Sequence, residues 1–94
     1  MTELDNLRQE IDAIDEVVVA QLARRFAVVR KVAAYKGKHG IPAVLPERID
    51  VVKSRCAALA ATQDLDPELV RALYDLIIKA ACRLEEEIIE ADAA

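Results

Sequence analysis

The first third of the chain limits the possible folds more than any other stretch. Residues 2–36 contain no glycine or proline, and their apolar side chains recur every three or four positions, which is the spacing of one face of an α-helix. A helix of about 35 residues, from about Thr2 to Lys38, would be roughly 52 Å long at 1.5 Å per residue. That length exceeds the diameter of any globule that 94 residues can form.

The apolar seam of this helix needs a partner. Its spacing is that of a coiled coil with one stutter, and two shorter helices cannot cover it along its whole length. We therefore expect an obligate homodimer. The seam consists of Leu4, Leu7, Ile11, Ile14, Val18, Leu22, Val29 and Val32.

Two breaks divide the rest of the chain. The segment GKHGIPAVLP contains both glycines and two of the three prolines, and TQDLDP places Asp66 as a helix N-cap before Pro67. We expect a second helix from Pro46 to about Ala61 and a third from Pro67 to about Ala91. The predicted fold class is all-α, with three helices per chain in one domain spanning residues 1–94.

Composition excludes several classes of protein. The formal net charge is −4 and only two Tyr and one Phe are aromatic, which argues against nucleic-acid binding. No apolar run approaches the roughly 20 residues that span a bilayer, and the acidic start does not resemble a signal peptide. Cys56 and Cys82 form no CxxC pair, so we expect buried, reduced thiols in a cytoplasmic protein.

Two cations lie on the apolar seam of the first helix. The three-to-four spacing runs from Leu22 through Arg25, Val29 and Val32 to Lys36, so Arg25 and Lys36 share a face about three turns apart. Burying a lone cation costs several kcal/mol unless it is paired. Either acidic side chains or an anionic ligand must neutralise them.

Three more charges join these two in the predicted arrangement. Arg48 lies in the first turn of the second helix, where backbone N–H groups also favour anions. Glu85 lies on an apolar face of the third helix. Arg8 is seventeen residues before Arg25, about 25 Å along the same helix, so it could share a small ligand with Arg25 only from a second chain.

Two interpretations of these charges remain open at this point. In one, Arg25 and Lys36 form intersubunit salt bridges with acids such as Glu10, Asp12 or Asp15, and the chain is a non-catalytic dimerisation module. In the other, three or four cations and one acid form a buried pocket for a small dianion.

Four segments favour the second interpretation, because they resemble the all-helical chorismate mutase family. They are LRQEIDAIDEVVVAQLARR, VAAYK, LPER and LYDLIIKAACRLEEE, and together they cover nearly the whole chain. The resemblance implies an intertwined homodimer that rearranges chorismate to prephenate in aromatic amino acid or related biosynthesis, without a cofactor or a metal ion.

The resemblance also implies a role for each charged residue. Arg8 would reach into the active site of the partner, and Arg25 would bind a carboxylate of the substrate. Lys36 would contact the ether oxygen and a carboxylate, with Glu85 as the second donor to that oxygen. Arg48 would lie beside the ring substituent.

Two positions depart from the family pattern. Ile49 stands where many relatives have an acid that contacts the ring hydroxyl, and Ala81 stands where a small hydroxyl residue is common. Both positions would line the substrate site. They leave isochorismate pyruvate lyase and 4-amino-4-deoxychorismate mutase as alternative activities on the same scaffold.

Overall fold

The protein is an all-α fold of three helices, as the sequence predicts. The computed structural model describes residues 2–93, which form α1 (Glu3–His39), α2 (Pro46–Thr62) and α3 (Pro67–Ala93) and no strand. Each boundary lies within two residues of its predicted position. No helix in this part of the chain combines the length with the apolar character needed to cross a membrane.

The first helix begins at a capping box and ends at a glycine. Thr2 Oγ1 accepts a hydrogen bond from the Asp5 backbone N–H at 3.1 Å, and the Asp5 carboxylate accepts one from the Thr2 backbone N–H at 3.4 Å, which satisfies two free donors of the first turn. Gly40 ends the helix at φ 64°, where a residue without a Cβ is favoured. Gly37 lies within the helix, in agreement with the predicted end near Lys38.

The other two helices begin at prolines. Pro46 and Pro67 are the first residues of α2 and α3, where the missing N–H costs no helical hydrogen bond. The predicted cap at Asp66 is confirmed, since its Oδ1 accepts a hydrogen bond from the Glu68 backbone N–H at 2.9 Å.

The core lies where α3 packs against α2. Its buried members are Val52, Cys56, Ala60, Val70 and Ile78. α3 also packs against α1, whereas α1 and α2 do not pack against each other within residues 2–93. α3 therefore holds the C-terminal half of α1 and the start of α2 at a fixed separation, and the gap between them becomes the candidate site.

The N-terminal half of α1 extends away from this core. Residues 2–21 are all exposed, including the apolar seam, in which Ile14 is 60% exposed. The radius of gyration is 16.9 Å, against about 12 Å for a compact domain of this length. The described chain thus has a long apolar helix face with nothing packed on it.

Candidate active site

The C-terminal half of α1 supplies two cations to one face. Arg25 and Lys36 are three turns apart, and both are partly buried. The Arg25 guanidinium lies over the ring of Tyr74, with Cζ 5.7 Å from the ring centre. Within residues 2–93 this guanidinium makes no ion pair and no hydrogen bond, so its five N–H donors are available to a ligand.

Lys36 is held by two groups. Its Nζ donates a hydrogen bond to the Ala43 backbone oxygen at 2.8 Å and lies 2.7 Å from Oε1 of Glu85. The side chains of Lys36 and Glu85 are only 12% and 9% exposed. Breaking an ion pair as buried as this one is costly, so the ammonium has a well-defined position.

The Glu85 carboxylate lies on the cavity wall. Its Oε1 is buried and lies 2.7 Å from Lys36 Nζ, so the ammonium balances its charge. A carboxylate this buried requires such a partner.

The start of α2 closes another side of the site. Leu45 precedes the helix and makes no side-chain capping bond, Arg48 is exposed in the first turn, and Ile49 is partly buried. The first N–H groups of a helix and its macrodipole both favour an anion. Arg48 adds a full positive charge at the same end.

A cavity of about 170 Å³ joins these groups. Six of the seven residues predicted from the sequence line it, and the remaining wall is largely apolar. The six are Arg25, Lys36, Arg48, Ile49, Ala81 and Glu85, and the apolar wall includes Val29, Val32, Leu45, Val52 and Ile78. An apolar wall with a few convergent charges is typical of a small-molecule site.

Arg8 is the predicted residue that the single chain does not bring to the cavity. It lies near the start of α1, where its side chain is 65% exposed and Nη1 is 3.9 Å from Oδ1 of Asp5. The described chain therefore leaves Arg8 on the uncovered part of α1.

Cys82 also lines the cavity. Burial raises the pKa of its thiol, the negative charge of Glu85 raises it further, and Lys36 opposes the shift. Cys82 is therefore a neutral thiol at physiological pH. Cys56 and Cys82 are both free, and no group of three or more His, Cys, Asp or Glu side chains in residues 2–93 is arranged to hold a metal ion.

Known proteins resemble this chain over almost its whole length. A model of the chorismate mutase type II family matches residues 7–86. A 4-amino-4-deoxychorismate mutase from Streptomyces venezuelae is 37% identical over 91 residues, which cover 97% of this chain and 88% of that protein. Another from Streptomyces pristinaespiralis is 37% identical over 91 residues, 97% of this chain and 70% of that protein. A chorismate mutase from Methanocaldococcus jannaschii is 26% identical over 87 residues, 93% and 88% of the two chains.

The chain belongs to the chorismate mutase type II family. This confirms the family resemblance and the predicted class of enzyme, an isomerase of the chorismate mutase type. The non-catalytic alternative predicted acids such as Glu10, Asp12 or Asp15 as partners for the seam cations. In the single chain those acids are exposed, and Lys36 pairs with Glu85 of its own chain.

Three contributors to the site were missed from the sequence. The Ala43 carbonyl holds Lys36, and a backbone group carries no side-chain signal. Tyr74 contacts Arg25 from another helix. This contact depends on how α1 packs on α3, which helical spacing does not predict. Cys82 lies three residues before Glu85 on α3, so helical spacing alone could have found it.

Proposed function

We propose that this type II chorismate mutase binds chorismate in the cavity between its three helices and rearranges it to prephenate. The observation that carries the proposal is the unpaired Arg25 guanidinium, which lies on the same cavity as Lys36 and Arg48. With Glu85 ionised, these groups leave the site with a net positive charge of two. A dianion with two carboxylates matches that charge.

Binding would contribute to the rate by restricting a flexible substrate. Arg25 offers a planar fork of donors that suits a carboxylate, and the α2 end with Arg48 offers a second region of positive charge. Holding both carboxylates would bring the carbons that form the new bond close together. This kind of restriction can account for a large part of a rate enhancement.

Lys36 and Glu85 would stabilise the charge that develops on the ether oxygen as the C–O bond breaks. The Lys36 ammonium has three donors, one of which is used by Ala43. Glu85 can donate only when protonated, because an ionised carboxylate is solely an acceptor.

A homodimer is part of the proposal. The uncovered seam of α1 is too long and too apolar to remain in water, and a second α1 has the matching spacing. In an antiparallel pair, Arg8 of a second copy could approach the cavity that Arg8 of the same chain cannot reach. It would supply a further donor to a substrate carboxylate.

A second candidate substrate is 4-amino-4-deoxychorismate. Two relatives with that name are 37% identical to this chain, whereas the Methanocaldococcus jannaschii chorismate mutase is 26% identical. In addition, position 49 faces the cavity as an isoleucine, so it offers no carboxylate to a ring hydroxyl. Both substrates would undergo the same rearrangement.

Turnover assays with product identification test the proposal. The enzyme should convert chorismate or its 4-amino analogue to the rearranged product, and Arg25→Ala should lower kcat/KM by about 10- to 150-fold, as removal of a charged contact to a bound carboxylate does. Arg24→Ala is the matched control, since Arg24 is exposed and bonds only Gln21 within the described residues. No turnover of either compound, or equal effects of the two substitutions, would contradict the proposal. Pyruvate release from isochorismate would indicate the lyase instead.

A further inference from the structure

We propose that Tyr74 is a positioning residue that holds the Arg25 guanidinium at the cavity through its aromatic face. This role depends on the proposed function of Arg25 as the ligand of a substrate carboxylate. Tyr74 does not line the cavity, and it would act through Arg25, which does.

The geometry fits a cation–π contact. Cζ of Arg25 lies 5.7 Å from the ring centre of Tyr74, within the distance of about 6 Å at which such contacts are significant. Tyr74 belongs to α3 and Arg25 to α1, so the contact connects the two helices. Within residues 2–93, Arg25 has no acid or carbonyl that could fix its position in place of the ring.

Tyr74 is itself held by the core. Its ring is partly buried and packs against the cluster formed by α2 and α3. Burial raises the pKa of its hydroxyl, and the neighbouring Cys56 thiol raises it further. The phenol is therefore neutral at physiological pH and attracts Arg25 through the ring face rather than as an anion.

The contact prepares Arg25 without consuming its donors. A salt bridge to a protein carboxylate would occupy the N–H groups that a substrate carboxylate needs, whereas an aromatic face leaves all five unbonded. An unsupported arginine samples many rotamers and loses that freedom when it binds. Fixing it in advance makes substrate binding more favourable, so loss of the ring should mainly raise KM.

A double-mutant cycle on the whole enzyme tests this inference. Tyr74→Leu should lower kcat/KM by about 2- to 30-fold, the range expected for a cation–π contact at a partly buried site, mostly through KM. Tyr74→Phe keeps the ring and should stay within about twofold. In the Arg25→Ala background, Tyr74→Leu should have almost no additional effect, because the residue through which it acts is gone. Tyr35→Leu is the matched control, since Tyr35 is exposed and stacks on His39 rather than on a site residue.

Two results would overturn the role of Tyr74. One is an equal effect of Tyr74→Leu with and without Arg25, which would show that the ring acts only through general packing. The other is the absence of NOEs between the Tyr74 ring protons and the Arg25 side chain in the wild-type protein, a measurement that does not require the variants to fold. Failure of the proposed function would look different, because the wild-type enzyme and Arg25→Ala would then differ little on every substrate.

Discussion

Glu85 provides the sharpest test of the proposed chemistry, because its two roles depend on its proton. As a carboxylate it pairs with Lys36 at 2.7 Å, and as a carboxylic acid it can donate to the ether oxygen. Glu85→Gln keeps a donor at every pH with nearly the same shape. Glu85→Ala removes the donor altogether.

The expected magnitudes follow from the position of the side chain. Removing a donor from a water-excluded site costs about 10²- to 10³-fold in kcat, or about 2.7–4 kcal/mol, and Glu85 is only 9% exposed on the side chain. Glu85→Ala should therefore be slow at every pH. Glu85→Gln should retain activity within about tenfold of wild type near neutral pH.

The two variants separate hydrogen-bond donation from packing. Glu85→Gln keeps an N–H donor, so its kcat should exceed that of Glu85→Ala by at least about tenfold. Steady-state kinetics of both variants on the same substrate would measure this difference.

A stability control belongs with this experiment. Glu85→Gln leaves the Lys36 ammonium with the Ala43 carbonyl but without its anion, which should cost up to about 3 kcal/mol of unfolding free energy. Assays should therefore be run well below the Tm of each variant. If Glu85→Gln is as slow as Glu85→Ala under these conditions, Glu85 is not the second donor.

Two further predictions address the dimer and the substrate. Arg8→Ala and Lys36→Ala should each inactivate the homodimer. When the two variants are mixed and refolded, activity should return, because some heterodimers would contain one intact site. Sedimentation would verify that the subunits pair, and mixtures that pair but stay inactive would contradict a role for Arg8 across the interface. Ile49→Glu places an acid on the cavity wall and should improve kcat/KM for chorismate relative to the 4-amino analogue, whereas an unchanged ratio would show that this position does not select the ring substituent.

The helices could be predicted because local signals agree at nearly every boundary. Pro46 and Pro67 start helices where a proline costs least, and Asp66 forms the predicted cap before Pro67. The first helix continues through Gly37, since a single glycine weakens a helix by only about 1 kcal/mol, and it ends at the stronger signal of Gly40.

The site was predictable to the extent that it depends on helical faces. The shared face of Arg25 and Lys36, and the apolar face around Glu85, follow from spacing alone, whereas the roles of Arg48, Ile49 and Ala81 came from the family resemblance. The contacts that hold these groups did not follow from spacing. The Ala43 carbonyl and the Tyr74 ring reach the site only through the loop and the packing of α3.

The charges of one chain suffice to neutralise the proposed substrate. Arg25, Lys36 and Arg48 face one carboxylate, Glu85, and a bound dianion would cancel the resulting excess of two positive charges. A fourth cation is therefore not needed for the balance of charge. Arg8 of a second copy would instead add hydrogen bonds that fix the position of a substrate carboxylate, so its loss should impair the orientation of the substrate and not the neutralisation of its charge.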